Sequence, residues 1–238
     1  MNIVFFDTET TGIDEKDRLC QIAWMQGTVI RAELFKPPFP IPAMASAVHH
    51  ITNGMVEDRP LFKESEEWVV LKELFEAEDT IVVAHNAKFD LAMLKKEGIE
   101  PKNHICTLKV ARAMDPEGKI EKYNLQFLRY ALNLEVSEDA LAHSADGDVL
   151  VMEKLFARLL KKLTETKSEE EALKEMMDIS TLPSLFKTIP FGKHRGKALA
   201  DVAKEAPDYL EWLLAEKEKK PYGEEDWIYS IKIHLGKL

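Results

Sequence analysis

The chain has 238 residues, 45% of them hydrophobic, which fits one large globular domain or one domain with a small appendage. No run approaches the roughly 20 apolar residues of a membrane span, and the N-terminus lacks the basic stretch of a signal peptide. The formal net charge of −10 excludes a broad basic surface that grips polyanions, but it is compatible with an enzyme whose bound cations bridge carboxylates to phosphate.

The two cysteines, Cys20 and Cys106, lie in separate apolar stretches. They form no CxxC metal motif, and free cysteine in apolar surroundings behaves as a small buried hydrophobe. We therefore expect two buried free thiols and a reducing, cytoplasmic location.

The first 35 residues predict three strands, because short apolar or alternating runs are typical of strands: NIVFFD, CQIAWM and TVIRAELF. Turn-like segments with Gly12 and Gly27 separate the runs, which favours an antiparallel meander. The segment KPPFPIP (36–42) is too poor in backbone donors for regular structure.

Helix and strand signals then alternate. Residues 65–77 have apolar residues at helical spacing, residues 80–85 resemble a buried strand, and residues 87–98 predict a helix ending at Gly98. A short strand and further helices follow. This order predicts an α/β fold in which helices flank a mixed sheet.

The C-terminal part has a different composition. Residues 165–178 carry six acids and two lysines, which predicts a solvated helical connector. Trp212 and Trp227 follow in helical patterns that predict core positions. We predict a first domain at 1–164, an acidic connector at 165–178 and a small module at 179–238.

Asp7 and Glu9 stand two residues apart at the end of the first strand. Because strand side chains alternate, both carboxylates project from one face. Paired oxygen ligands suit a hard cation such as Mg²⁺ or Mn²⁺, although solvated pairs at strand ends are common.

Two later segments carry further candidates. In HNAKFD (85–90), His85 lies in a turn after a buried strand and is predicted to form turn hydrogen bonds, while Asp90 falls in a first helical turn. In HSADGD (143–148), His143 precedes Asp148 by about one helical turn, a spacing that can direct both at one centre. The presence of Asp146 is explained by the helix dipole alone, which favours an acid in the first turn of a helix.

Three motifs in this order resemble those of the DEDDh 3′→5′ exonucleases: DTETTG, then HNAKFD, then His143 followed five residues later by Asp148. The tyrosine branch has tyrosine four residues before the last aspartate, where this chain has Ser144, so the histidine branch is favoured. AVHHITNGMV (47–56) also resembles a family segment, with His50 replacing the usual glycine. The resemblance implies an RNase H-like fold.

The resemblance further implies a two-metal hydrolysis of phosphodiesters, with His143 as general base. Thr10 would contact the terminal 3′-hydroxyl, Ile13 would wedge against the terminal base, and His49 would contact the terminal nucleotide. Two Mg²⁺ or Mn²⁺ ions would be held by four carboxylates, those of Asp7, Glu9, Asp90 and Asp148.

The likeness continues through residues 177–214, especially FGKHRGK (191–197), into the C-terminal module of an exodeoxyribonuclease branch of the family. It implies release of mononucleotides from DNA 3′ ends, single- or double-stranded, in repair or end processing. Residues 186–197 carry four basic residues and no acid, and Lys193 and Arg195 are candidate DNA-backbone contacts. A polar turn in a small fold is the equal alternative.

Three other functions stay open at this point, and the oligomeric state is undetermined. An exoribonuclease of the RNase T or oligoribonuclease type would share the motifs, because recognition of the 2′-hydroxyl lies in a few pocket contacts. A proofreading subunit would act bound to a polymerase. An inactive nucleic-acid-binding module would bind without cleaving, which the acidic charge disfavours.

Overall fold

The computed structural model describes residues 1–136, 144–219 and 223–238. These residues form two compact units, Met1–Leu108 with Lys122–Met177, and Lys109–Glu121 with Asp178–Leu238. Within the described ranges, no helix is both long and apolar enough to cross a membrane.

A five-stranded mixed sheet organises the first unit in the order β3-β2-β1-β4-β5. Its strands are β1 Asn2–Thr10, β2 Leu19–Gln26, β3 Val29–Leu34, β4 Thr80–Ala84 and β5 Asn103–Cys106. The first three form an antiparallel meander, whereas β4 pairs in parallel with both β1 and β5. The predicted meander and mixed sheet are confirmed.

Helices connect and flank these strands. Those within the first unit are α1 Ala43–His49, α2 Asn53–Val56, α3 Glu66–Phe75, α4 Lys88–Lys96, α6 Leu125–Ala131 and α7 Ala145–Thr164. Two more, α5 Thr107–Ala113 and α8 Glu169–Thr181, extend into the second unit. The predicted helices at 65–77 and 87–98 correspond to α3 and α4. Gly98 follows α4 with a φ of 81°, a left-handed conformation that favours glycine.

The core lies on both faces of β1, the middle strand. Phe6 meets Phe75 of α3 with ring centroids 5.1 Å apart, and Phe5 meets Phe156 of α7 at 5.2 Å. Since alternate strand residues face opposite sides, α3 covers one face of β1 and α7 covers the other. The face covered by α7 is the one that carries Asp7 and Glu9.

The second unit has its own apolar core. Its helices are α9 Leu199–Glu205, α10 Pro207–Glu218 and α11 Glu225–His234, and a β-bridge joins Thr188 to Ala198. Residues 109–121 belong to this unit, because the Arg112 guanidinium lies 4.7 Å from the Phe186 ring centroid and 3.6 Å from the Asp226 carboxylate. The predicted first domain, 1–164, had included these residues. The buried core consists of Ile189, Leu199, Val202, Leu210, Leu213, Leu214 and Ile231.

Two expectations about burial were wrong. The acidic connector was expected to be solvated, but α8 buries one apolar face formed by Ala172, Leu173 and Met176. Trp212 was expected in the core, yet its side chain is 56% exposed. The buried positions of α10 are occupied instead by leucines, Leu210, Leu213 and Leu214.

Cys20 and Cys106 are buried free thiols, as predicted. Burial, together with the charge of Glu9, raises the pKa of the Cys20 thiol to about 12. The thiol therefore stays protonated near neutral pH and is unreactive.

The packing of β1 predicts the effect of a core truncation. Phe6→Ala removes a fully buried ring and leaves a cavity, so the free energy of unfolding should fall by about 3–5 kcal/mol. The control Val29→Ala alters a side chain that is 54% exposed on β3 and should change stability by less than about 0.5 kcal/mol. Equal losses in urea denaturation would contradict this account of the core.

Candidate active site

Asp7 and Glu9 lie near the carboxyl end of β1 on the face covered by α7. The register between β1 and β2 shifts between Glu9 and Thr10, so that Cys20 of β2 has no opposite residue. Such a β-bulge bends the ladder and redirects nearby side chains, and bulges are frequent beside active sites. The regular pairing of β1 with β2 thus ends beside Asp7 and Glu9.

Asp148 approaches the same point from the first turn of α7. Ser144 caps this helix, its Oγ accepting the Gly147 N–H at 3.3 Å. One carboxylate oxygen from each of Asp7, Glu9 and Asp148 lies within 4.8 Å of the others. Asp146 is exposed and outside this group, in agreement with its predicted role as a dipole-compensating acid.

Asp90 is buried in the first turn of α4, directly after β4. Its Oδ1 accepts two hydrogen bonds from Thr8, one from the backbone N–H at 3.1 Å and one from the hydroxyl at 2.6 Å. Asp90 lies outside the group of three, but its charge acts on both Asp7 and Glu9. The structure therefore brings all four predicted carboxylates together.

Burial and mutual repulsion raise the pKa values of these acids. Burial raises the pKa of Asp7 well above its ordinary value, and the charges of Asp90, Glu9 and Asp148 raise it further. Burial, followed by the charges of Asp148 and Asp90, raises the pKa of Glu9 to about 8. For Asp90, burial outweighs the Thr8 hydrogen bonds and raises the pKa to about 7. A bound cation would reverse these shifts.

The donor set fits a hard divalent cation. Carboxylate oxygens are the ligands that Mg²⁺ and Mn²⁺ prefer, and three of them already converge. Among the described residues, every influence on the pKa of Asp7 raises it: burial first, then the charges of Asp90, Glu9 and Asp148. A bound cation would offset this repulsion, so the cluster is suited to bind cations.

Two neutral donors that the sequence analysis missed hold the outer carboxylates. Gln126 of α6 donates from Nε2 to Asp148 Oδ1 at 2.6 Å, and Thr8 binds Asp90 as described. Thr8 could have been identified from its position between Asp7 and Glu9, since it points to the opposite face of β1. Gln126 carries no local signal, because its contact depends on how α6 packs against α7.

The residues predicted to bind the terminal nucleotide surround the end of β1. Ile13 is 84% exposed, as a residue free to contact a ligand should be. His49 is buried, with Nδ1 accepting the Ile51 N–H at 3.0 Å and Nε2 lying 3.2 Å from the Thr10 carbonyl. This pattern requires the proton on Nε2. Both ring nitrogens of His49 therefore bond to backbone, one of them at Thr10.

The other predicted residues lie elsewhere. His85 bonds to the Thr107 hydroxyl and the Tyr123 carbonyl, both at 2.8 Å, which confirms its role as a turn hydrogen-bonder. Lys193 and Arg195 are exposed in the second unit. His143 lies outside the described residues.

Comparison with known proteins identifies the class. The exonuclease (RNase T) family model matches residues 4–156, and the Exodeoxyribonuclease X-like C-terminal model matches residues 189–218. The chain belongs to this exonuclease family. It is similar to Exodeoxyribonuclease 10 of Escherichia coli K12, with 33% identity over 211 residues that cover 87% of this chain and 88% of the relative.

Other relatives cover less of the chain. DNA polymerase III subunit epsilon of Treponema pallidum is 33% identical over 167 residues, which are 65% of this chain and 74% of that protein. The solved structure of exonuclease X with 5′ overhanging duplex DNA superposes with a TM-score of 0.57 and 28% identity, over 75% of this chain and 99% of that chain. E. coli exonuclease I, at 18% identity and a TM-score of 0.57, shares the fold over 73% of this chain and 42% of its own.

The raised pKa values predict how pH affects stability without metal. Glu9 and Asp90 have folded-state pKa values of about 8 and about 7, against unfolded values near 4. Between the unfolded and the folded pKa values of these two acids, the folded protein holds more protons than the unfolded chain. The free energy of unfolding therefore falls as pH rises from about 5 to 8. Thermal unfolding in EDTA should show this loss, and Mg²⁺ should reverse it. Glu9→Gln should reduce the slope, whereas stability that rises with pH would refute the electrostatic account.

Gln126→Leu removes the donor that orients Asp148. Loss of such an outer-shell hydrogen bond should weaken Mg²⁺ affinity about 10- to 100-fold, measured by calorimetry or as the Mg²⁺ dependence of activity. Gln26→Leu makes the same chemical change beside Val4, towards the other end of β1, and serves as the control. Unchanged affinity in Gln126→Leu would show that Asp148 needs no support from α6.

Proposed function

We propose that this protein is a divalent-metal-dependent 3′→5′ exodeoxyribonuclease that releases mononucleotides from DNA ends. The convergence of Asp7, Glu9 and Asp148 within 4.8 Å, with Asp90 beside them, carries this proposal. Family membership supports it, because the chain matches an exonuclease model and resembles Exodeoxyribonuclease 10 over most of its length.

The four carboxylates would hold two Mg²⁺ or Mn²⁺ ions, with Asp7 at the centre of the group. When bound, the ions would lower the pKa of the attacking water and stabilise charge on the leaving 3′ oxygen. Thr8 and Gln126 keep Asp90 and Asp148 in place through hydrogen bonds to one oxygen each. Both donors are neutral, so neither reduces the negative charge available to cations.

His143 is the proposed general base. An imidazole with an ordinary pKa near 6.5 can accept the proton of the attacking water at neutral pH. It precedes Asp148 by five residues in the sequence, and Asp148 lies in the first turn of α7.

Residues at the end of β1 are proposed to recognise the terminal nucleotide. Thr10 would contact the 3′-hydroxyl and the exposed Ile13 would pack against the terminal base. We assign His49 a positioning role, because its imidazole bonds to the Thr10 carbonyl and burial lowers its pKa. A neutral imidazole keeps the tautomer that this hydrogen bond requires.

DNA is favoured over RNA by the relatives that match most of the chain. Exodeoxyribonuclease 10 covers both units, and the match to the Exodeoxyribonuclease X-like C-terminal model lies in the second one. The epsilon subunit of Treponema pallidum aligns with 65% of the chain, whereas Exodeoxyribonuclease 10 aligns with 87%. We accordingly propose that the catalytic domain predicted at 1–164, with the connector predicted at 165–178, corresponds to the first unit except for residues 109–121. The module predicted at 179–238 corresponds to the second unit and is proposed to add to substrate binding.

Digestion of end-labelled oligonucleotides tests this function. With Mg²⁺ the protein should release mononucleotides from the 3′ end of DNA, and EDTA should abolish the release. Asp148→Asn should lower the rate on the order of 10³-fold, because a metal ligand supports several kcal/mol of transition-state stabilisation.

Asp146→Asn provides the matched control. It makes the same change two residues away at an exposed acid outside the cluster, so the rate should stay within about twofold. Release from RNA but not DNA would keep the mechanism and replace the substrate. Equal loss in both variants, or tight binding without any cleavage, would overturn the proposed function.

A further inference from the structure

An exposed aromatic and cationic surface lies on the second unit. It is formed by Lys193 and Arg195 from the loop before α9 and by Tyr209 and Trp212 from α10, and we call these four residues the Trp212 surface. None of them is among the fully buried core residues of the unit, although Tyr209 packs against that core, and none belongs to the carboxylate cluster of the first unit. The exonuclease site leaves this surface without a role.

Trp212 differs in its surroundings from the other three tryptophans. Trp24 is 6% exposed, Trp68 packs against the core of the first unit, and Trp227 packs against the core of the second. Trp212 is 56% exposed, although burying an indole is one of the larger gains available to a small fold. A large exposed ring beside other aromatic groups is typical of a binding site.

The two rings and the Lys193 ammonium group form a contiguous row. Tyr209 and Trp212 are three residues apart on one side of α10, with ring centroids 5.8 Å apart and planes inclined by 38°. The ammonium group of Lys193 lies 5.1 Å from the centroid of the Tyr209 ring. This row places a positive charge at one end and an exposed indole at the other.

The loop that carries the cations is held against α10. A β-bridge between Thr188 and Ala198 closes it, and Gly192 has a φ of 65°. A Cβ at Gly192 would meet the Tyr209 hydroxyl at an ordinary contact distance of 3.4 Å, so it is the left-handed backbone that favours glycine here. The position of Lys193 over the ring is therefore built into the fold.

Charge favours an anionic partner despite two nearby acids. Residues 186–197 carry four basic side chains and no acid. Glu205 and Asp208 border the hollow beside Trp212, but Glu205 pairs with Lys197 at 3.1 Å. Asp208 lies in the first turn of α10, where the helix dipole favours an acid. Lys193 and Arg195 are both exposed.

We propose that the Trp212 surface binds single-stranded DNA. Unpaired bases would stack on the exposed ring of Trp212 beside Tyr209, and the phosphates would contact Lys193 and Arg195. Stacking on aromatic rings accepts any base, which suits an enzyme that digests every sequence. This inference rests on the proposed function, since it assigns the second unit a hold on the same substrate.

Fluorescence anisotropy of a labelled dT oligomer tests the proposal, using the full chain in EDTA so that no hydrolysis occurs. Trp212→Leu should weaken binding about tenfold or more, because it removes the stacking ring and keeps an apolar side chain. Trp212→Phe should retain most of the affinity. Lys193→Gln with Arg195→Gln should reduce the slope of log affinity against log salt by about 1.4, at about 0.7 per phosphate contact.

The matched charge control is Lys232→Gln with Lys237→Gln. It makes the same change in net charge in the same unit, at lysines paired with Glu218 and Glu211, and should leave the slope unchanged.

Equal affinity for Trp212→Leu and the wild type, with equal melting temperatures, would overturn the proposal. A dimer that Trp212→Leu dissociates without loss of DNA affinity would instead make this face a contact between copies. DNA binding in EDTA without cleavage in Mg²⁺ would refute only the proposed exonuclease activity.

Discussion

The repulsion between converging, partly buried carboxylates is the constraint on which this structure depends. Asp7, Glu9 and Asp148 place their oxygens within 4.8 Å of one another, and Asp90 adds a further charge. Burial and like charges both disfavour ionisation, so the arrangement opposes folding in the absence of cations. The hydrogen-bonded sheet and its two apolar layers must supply the free energy that holds these groups together.

The fold meets this demand by attaching each acid to a rigid element. β1 is the middle strand of the sheet, and the rings of Phe5 and Phe6 fix it between α7 and α3. The contact of Phe156 with Phe5 also aligns α7, so that its first turn brings Asp148 to the end of the strand. Hydrogen bonds from neutral side chains then orient the outer carboxylates without cancelling their charge. The positions of the metal ligands therefore depend on aromatic packing between β1 and the helices α7 and α3.

The sequence predicted the parts of this site that depend on local periodicity. Asp7 and Glu9 follow from alternation along a strand, and Asp90 from its place after a buried strand. The meeting of Asp7 and Glu9 with Asp148 depends on contacts across more than a hundred residues, so only the resemblance to known motifs indicated it. Gln126 was missed because its contact with Asp148 depends on how α6 packs against α7. Trp212 was misplaced because helical spacing predicts that one face is buried but not which one, and residues 109–121 gave no sign of their partners.

The distribution of charge explains why an acidic nuclease needs two kinds of surface. The second unit has thirteen basic and thirteen acidic residues, so the whole net charge of −10 falls on the unit with the carboxylates. That unit must stay negative to hold cations, and a negative surface repels the phosphates of its own substrate. Basic side chains near Asp7 would lessen the repulsion but would also compete with the metal ions. A cationic and aromatic surface on a separate, neutral unit avoids this conflict, since it attracts DNA without lowering the affinity of the active site for metal.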